Sequence, residues 1–258
     1  MRNAPPYTSQ VDVPGQFVAH DAVAFATQKL KFRLDPRQAE ILSGNMHRVL
    51  LCCSRQWGKS TIAAIAATHH LLTRPGAFVA VVSPAQKQSA ELIRKVRFFL
   101  DTLQVPYHSD PIHKHSLELA GGNRIIALTS RQATNRGPSA VTFLIFDEAA
   151  YIADEVYDAC TPFLGTTNGD IWLISTPNGK RGFFWEFWAG DGPWTRYLVT
   201  AKENPRLSEE FLQEELRARG SRRFRQEYEC EFLDDLGSLF DVSLFLTAVT
   251  DDFKPLGI

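Results

Sequence analysis

Short, continuous apolar runs alternate with longer amphipathic segments along much of the chain. Four of these runs are HRVLLCC, AFVAVVS, VTFLIF and IWLIST, at residues 47–53, 77–83, 141–146 and 171–176. Runs of this length without polar alternation predict strands covered on both faces, and the segments between them predict helices. Strands that alternate with helices are typical of a parallel sheet. The pattern therefore predicts an α/β fold with a mostly parallel central sheet.

Turn and capping signals refine this prediction. Two apolar runs flank Gly121-Gly122-Asn123 and predict a hairpin. Asp35-Pro36 combines an acidic N-cap with a proline in the first turn, so a helix should begin there. After about residue 190 the strand-helix rhythm stops and charged, helix-favouring segments dominate.

The sequence pattern divides the chain into three parts. We expect an N-terminal arm and short helix over residues 1–34, a core domain over residues 35–190, and a small helical lid or linker over residues 191–258.

Bulk composition sets limits on partners. The 258 residues include 44% apolar ones, which predicts a sizeable buried core, and the net charge is −1. Such a balance gives no global attraction to nucleic acid, so any such contact needs a local patch. The densest basic run is RARGSRRFR, whose arginines suit a DNA contact, a subunit contact or a solvated helix face: Arg217, Arg219, Arg222, Arg223 and Arg225. With neither a membrane-length apolar run nor an apolar signal core, we expect no membrane partner and a cytosolic location.

The segment CSRQWGKST, residues 53–61, lies between the first predicted strand and the following helix. This is the context of a phosphate-binding loop, whose backbone amides and positive helix N-terminus favour an anion. Lys59 is expected to reach the β- and γ-phosphates of ATP, and the Ser60 hydroxyl to ligate Mg²⁺. Cys53 replaces the first glycine of the common G-x-x-x-x-G-K-[ST] pattern, which weakens the bare match.

Two adjacent carboxylates, Asp147 and Glu148, end the predicted strand VTFLIF. At the edge of the sheet that carries the phosphate-binding loop, Asp147 would hold Mg²⁺ and Glu148 would orient and deprotonate the attacking water. The alternative is a strand capped by two surface acids. A glutamate beside the Mg²⁺ ligand favours ATP hydrolysis over phosphate transfer to a substrate hydroxyl.

Several segments together resemble the large terminase subunit, the motor that packages DNA into tailed-phage capsids. They are SRQWGKS (54–60), RQATNRGPSAVTFLIFDEA (131–149), LISTPNG (173–179) and FRQEYECEF (224–232). In this family the phosphate-binding loop typically carries an arginine and often lacks the first glycine, as here. The resemblance covers roughly residues 35–232 and implies a RecA-like P-loop NTPase of the ASCE class with a C-terminal lid.

The resemblance also implies roles for individual residues. Gln38 looks like the glutamine that reads the adenine edge, with a surface glutamine as the alternative. Arg55 would lie over the phosphates, or instead clamp a neighbouring carboxylate. Ser175 and Thr176 would sense the γ-phosphate, or merely cap their strand. The remaining loop residues expected at the nucleotide are Ser54, Gln56, Gly58 and Thr61.

Arg136 resembles an arginine finger that is given in trans to the neighbouring subunit. The alternative is a solvated loop arginine, and Arg131 is a nearby competitor for the role.

For the whole protein, the resemblance implies that Mg²⁺-dependent ATP hydrolysis drives double-stranded DNA into a capsid. The implied partners are the portal ring, the small terminase subunit, copies of the chain in a ring, and DNA bound weakly without sequence preference. The location would be the cytoplasm of an infected bacterium. Two alternatives are a helicase-like translocase and a nucleotide switch that does not hydrolyse.

Large terminases of this type also carry a nuclease domain. The chain stops where that domain would begin, and the pairs Asp234-Asp235 and Asp251-Asp252 do not replace its carboxylate cluster. Nuclease activity is therefore not expected.

Overall fold

The computed structural model describes residues 21–109, 115–135 and 137–234. The N-terminal arm up to residue 20, Arg136 and the segment from residue 235 onward therefore lie outside the described residues. Within the described part, eight strands form one sheet in the order β3-β4-β5-β2-β6-β7-β1-β8. Their bounds are β1 Arg48–Cys53, β2 Phe78–Ser83, β3 Tyr107–His108, β4 Ser116–Leu119, β5 Arg124–Thr129, β6 Phe143–Asp147, β7 Asp170–Ser175 and β8 Thr195–Val199.

The pairing confirms the predicted α/β sheet. Strands β5, β2, β6, β7, β1 and β8 pair in parallel along the sheet. The short strands β3 and β4 add an antiparallel edge, and β4 and β5 form the hairpin expected around Gly121-Gly122. Strands β2, β6 and β7 are buried along their whole length, as expected for continuous apolar runs covered on both faces.

Helices cover the two faces of the sheet. Helix α1 at Ala22–Ala24 continues as one π-helical stretch, Phe25–Lys29. The others are α2 Pro36–Ser43, α3 Lys59–Thr73, α4 Gln86–Thr102, α5 Ser130–Thr134, α6 Asp154–Cys160, α7 Gly182–Ala189 and α8 Glu209–Tyr228. One apolar cluster joins α1–α4 to one face of the sheet, and a second joins α6 and α7 to the other. In the described residues, no helix is both long and apolar enough to cross a membrane.

The expectation that strands stop near residue 190 is wrong, because β8 pairs in parallel with β1 beyond that point. The strand was missed because it is a short edge strand of mixed polarity, TRYLV, in which Leu198 is 41% exposed. The strand contacts the phosphate-binding loop directly, since the Ser54 amide donates a hydrogen bond to the Val199 carbonyl at 2.8 Å. The division into a core and a lid stays a prediction.

The predicted helical segment after the sheet is α8, which is kinked in its middle. Gly220 has φ 76° and ψ 159°, outside the helical region, so the helix has two arms. A side chain at Gly220 would meet no atom within 4 Å, so packing leaves room there and the backbone conformation alone favours glycine. The kink divides α8 into a first arm at residues 209–219 and a second arm at residues 221–228.

Candidate nucleotide-binding site

The loop between β1 and α3 has the backbone of an anion-binding turn. Gln56 and Gly58 both have positive φ, at 60° and 102°, and α3 begins directly afterwards at Lys59. The amides of Thr61 and Ile62 close the first helical turn on the Gly58 carbonyl, at 2.9 and 3.1 Å. The start of α3, with its positive dipole end and unpaired amides, is thus presented at the carboxyl edge of the sheet.

Lys59 and Glu148 meet at this edge. The Lys59 ammonium lies 3.0 Å from the Glu148 carboxylate, and both side chains are largely shielded from solvent. Burial opposes the charge on Lys59, but the nearby acidic groups, Glu148 foremost and then others including Asp147, together outweigh it and raise the pKa of the lysine. Glu148 itself has φ 58° and ψ 45°, a left-handed conformation that costs a non-glycine residue free energy. That conformation turns the glutamate out of the strand direction at the end of β6.

Asp147, the last residue of β6, is 3% exposed. Its Oδ2 accepts a long hydrogen bond of 3.4 Å from the Ser60 hydroxyl, and its Oδ1 is buried without a hydrogen-bond partner. Burial raises the pKa of Asp147 to about 6, and the charge of Glu148 adds to the rise. Mg²⁺ prefers oxygen ligands of this kind, one or two carboxylates together with hydroxyl groups and phosphates. The donor set and the unpartnered oxygen therefore fit a magnesium ion.

A cavity of about 470 Å³ lies beside Lys59 and Glu148. Its walls come from the phosphate-binding loop, the ends of β6 and β7, the start of α4, and α8. The lining residues are Arg55, Gln56, Lys59, Gln88, Glu148, Tyr151, Thr176, Phe211, Glu215, Arg219 and Tyr228. This volume is within the range of small-molecule sites.

The end of β7 is tied to the turn that follows β6. The Ser175 hydroxyl accepts a hydrogen bond of 3.1 Å from the backbone amide of Ala150, and the side-chain nitrogen of Asn178 donates one of 3.1 Å to the Ala150 carbonyl. Ser175 is fully buried, whereas Thr176 lines the cavity. Of the two predicted sensors, Thr176 alone reaches the cavity, and Ser175 supports the turn that holds Glu148.

Gln38 is buried, so the surface-glutamine alternative is wrong. Its side-chain oxygen accepts from the Asp35 amide at 3.1 Å, which completes the capping box of α2. Its side-chain nitrogen lies 3.4 Å from the Trp57 carbonyl, which also accepts a hydrogen bond from Arg206. Gln38 thereby joins α2 to the phosphate-binding loop. Its contact with adenine stays a prediction.

Arg55 adopts the clamp that was one of its two predicted roles. Its guanidinium lies 3.1 Å from Glu227, near the end of α8, and its amide donates to the Glu227 carbonyl at 3.0 Å. Arg55 also lines the cavity, so the clamp joins the loop and α8 at the site itself.

The other predicted loop residues lie in three different settings. Ser54 is fully buried and its hydroxyl has no partner. Gln56 lines the cavity. The Thr61 hydroxyl accepts a hydrogen bond of 3.0 Å from Lys95 of α4, so it faces that helix.

The sequence profile of the family described as terminase large subunit, T4likevirus-type, N-terminal, matches residues 50–247. The chain belongs to the large terminase subunit family. It is 31% identical over 215 residues to the large terminase subunit of Escherichia phage T5, covering 80% of this chain and 48% of that protein. The chain thus spans about half the length of the curated relatives it matches.

Solved large terminases share the fold. The ATPase domain of the large terminase of Thermus phage P74-26 superposes with a TM-score of 0.72 at 23% identity, over 81% of this chain and 97% of that one. The large terminase of another thermophilic bacteriophage, solved in complex with ADP, superposes with a TM-score of 0.62 at 12% identity, over 86% and 57% of the two chains. The α/β sheet described above is therefore the RecA-like fold of this terminase family.

Sequence reasoning missed the contribution of α8 to the site. Glu215, Arg219 and Tyr228 line the cavity although they lie more than 150 residues beyond the phosphate-binding loop. No spacing or periodicity links them to that loop. The only available signal was the resemblance of residues 224–232 to a family segment, which gave Glu227 and Tyr228 no role.

The candidate trans finger is not tested by these contacts. Arg136 lies outside the described residues, and Arg131 is exposed on the short helix α5. The basic run of α8 is divided in its contacts: Arg219 faces the cavity, while Arg225 pairs with Glu231 and Arg222 with the Asp234 carbonyl.

Proposed function

We propose that this chain is an ATPase that hydrolyses ATP to ADP and phosphate with Mg²⁺, and that in the whole protein this reaction drives double-stranded DNA into a capsid. The observation that carries the proposal is the ion pair of Lys59 and Glu148, which both line one cavity. Their chain neighbours Ser60 and Asp147 share a hydrogen bond of 3.4 Å. A nucleotide-binding scaffold without turnover has no use for a glutamate next to the metal ligand.

The roles follow from the chemistry of each group. Lys59 and the amides at the start of α3 bind the β- and γ-phosphates. Ser60 and Asp147 are the residues that would hold Mg²⁺, which when bound neutralises charge that builds on the phosphate oxygens. Glu148 accepts a proton from the attacking water. A terminal phosphate competes with Glu148 for Lys59, and this competition frees the carboxylate for that proton.

The nucleotide is proposed to be ATP for two reasons. The large terminase of a thermophilic bacteriophage was solved with ADP and with ATP-γ-S, and it has the same fold. In this chain Gln38, buried against the phosphate-binding loop, is the residue we propose for reading adenine.

The partners follow from family membership and are proposals for the whole protein. They are double-stranded DNA held weakly and without sequence preference, the portal ring, the small terminase subunit, and further copies of the chain in a ring in the cytoplasm of an infected bacterium. In such a ring Arg136, or Arg131, would complete the neighbour's site. Activity per molecule should then rise with protein concentration, and Arg136→Ala should abolish the rise.

The direct test measures nucleotide binding and steady-state hydrolysis, with and without duplex DNA, for the parent and for Lys59→Ala. Lys59 supplies the charge that holds the phosphates, so its loss should weaken binding itself and remove turnover with it. Lys180→Ala is the control, because Lys180 pairs with Asp234 away from the cavity and should leave both unchanged. Unchanged affinity in Lys59→Ala would show that the nucleotide binds elsewhere, and binding without any hydrolysis by the parent would favour a switch.

A further inference from the structure

Helix α8 contributes a cation to the cavity that the phosphate-binding loop also lines. Arg219 lines the cavity with Lys59 and Arg55, although it belongs to the basic run that the sequence left open to DNA, a subunit or solvent. It is the last residue before the kink at Gly220. The kink separates it from Arg222 and the arginines that follow in the second arm.

The partners of Arg219 are two carboxylates that also contact other residues of the site. Its Nε donates to Glu215, one helical turn earlier, and its Nη1 lies 3.5 Å from Glu227. Glu215 also accepts a hydrogen bond of 2.7 Å from the Tyr228 hydroxyl. Glu227 is the same carboxylate that holds Arg55, at 3.1 Å. One buried glutamate therefore bridges an arginine of the phosphate-binding loop and an arginine of α8.

Every charged side chain that lines this cavity is paired with an opposite charge from the chain. Lys59 has Glu148, Arg55 has Glu227, and Arg219 has Glu215 and Glu227. A triphosphate brings several negative charges into the same space, and arginine binds phosphate oxygens in two-pronged geometry at least as well as it binds carboxylates. The phosphates and the two glutamates therefore compete for the same cations.

We propose that Arg219 is a nucleotide-binding residue that exchanges its glutamate partners for the terminal phosphate, so that α8 distinguishes the triphosphate from the diphosphate. Arg219 lines the same cavity as Glu148 and Thr176, the residues expected at the terminal phosphate if the proposed function holds. The inference rests on that function, because it assigns Arg219 to the same nucleotide.

The test compares dissociation constants for ATP-γ-S and ADP, each with Mg²⁺, in the parent, Arg219→Gln and Arg219→Lys. A charged hydrogen bond that forms only with the terminal phosphate predicts about 10- to 100-fold weaker binding of ATP-γ-S by Arg219→Gln. Binding of ADP should change by less than about threefold, since the diphosphate lacks the group that Arg219 contacts. The affinity of Arg219→Lys for ATP-γ-S should lie between those of the parent and of Arg219→Gln, because lysine keeps the positive charge but loses the two-pronged hydrogen bonding of the guanidinium. Arg217→Gln removes an exposed charge from the same arm of α8 outside the cavity and is the matched control.

A second variant separates this role from a merely structural one. Glu215→Gln removes the competing charge but keeps an oxygen for Tyr228, so it should tighten ATP-γ-S binding by about two- to fivefold. A structural role predicts instead that Arg219→Gln and Glu215→Gln lower the melting temperature together and leave the ratio of the two dissociation constants unchanged. That result would overturn the proposal. A parent that binds neither nucleotide would overturn the proposed function, and the inference with it.

Discussion

The parallel sheet has an amino-terminal edge, where its strands begin, and a carboxyl-terminal edge, where they end. The two edges differ in whether their buried polar groups have hydrogen-bond partners. At the amino-terminal edge, where β7 begins, the Asp170 carboxylate lies 2.9 Å from Arg74 and 3.3 Å from His47. Beside it, the Thr142 hydroxyl contacts His70 at 2.8 Å and accepts from the Phe78 amide at 2.9 Å. Burial lowers the pKa of His70 to about 3, so this imidazole is neutral and serves as a hydrogen-bonding partner.

The carboxyl-terminal edge leaves buried polar atoms without partners. Asp147 Oδ1, the Ser54 hydroxyl and the Trp57 indole nitrogen have no hydrogen bond although each is buried. Unpaired buried groups cost free energy, and they persist where a ligand completes the site. The pairing of buried groups thus stabilises the fold at the amino-terminal edge, whereas the unpaired groups at the carboxyl-terminal edge lower stability and are expected to serve a ligand.

The largest expected effect is on turnover at the carboxyl-terminal edge. Glu148→Gln keeps the size of the side chain but removes the group that accepts a proton from water, so the hydrolysis rate should fall by ~10²–10⁴-fold. Nucleotide affinity should stay within a few-fold of the parent, because Lys59 still faces the phosphates. Single-turnover hydrolysis and a binding titration measure the two quantities, and a rate close to that of the parent would remove Glu148 from this role.

A smaller effect, on stability, concerns the other carboxylate of the same edge. In Asp147 the folded-state pKa of about 6 lies above the ordinary value of 3.8, so ionisation opposes folding. The penalty is absent at low pH, grows as the pH rises between these two values, and is complete above about 6. Asp147→Asn should therefore raise the free energy of unfolding by about 1–3 kcal/mol at pH 7, less at pH 5, while Mg²⁺-dependent nucleotide binding is lost.

Denaturant unfolding at both pH values, with a chelator present, measures the difference. If the Asn variant were less stable than the parent at pH 7, the carboxyl-terminal edge would not be the strained one.

The same substitution at the amino-terminal edge should have the opposite sign. Asp170→Asn replaces a charge that is paired with Arg74, and the free energy of unfolding should fall by about 1–2 kcal/mol, because the arginine is half exposed and its pair is partly screened. Nucleotide affinity should not change, since this edge is the opposite one from the site. Unfolding curves and a binding titration suffice, and equal signs for the two Asn variants would erase the contrast between the edges.

The features that depend on neighbours in the chain were predictable from sequence. The phosphate-binding loop needs a strand, a tight turn and a helix in succession, and CSRQWGKST lies between a predicted strand and a predicted helix. Glu148 follows Asp147 at the end of an apolar run, so their common position at a strand end was visible too. The hairpin at Gly121-Gly122 and the parallel sheet followed from local turn residues and from the length of the apolar runs.

The tertiary structure alone decided which distant groups complete the site. Arg55 was predicted to lie over the phosphates or to clamp a neighbouring carboxylate, and the position of α8 supplies that carboxylate as Glu227. Gln38 proved to be buried, because the packing of α2 places it behind the loop. Arg219 lines the cavity from the end of the arm of α8 that precedes the kink at Gly220. Sequence pattern specifies which residues share a strand or helix face, whereas contacts between remote elements depend on how those elements pack in three dimensions.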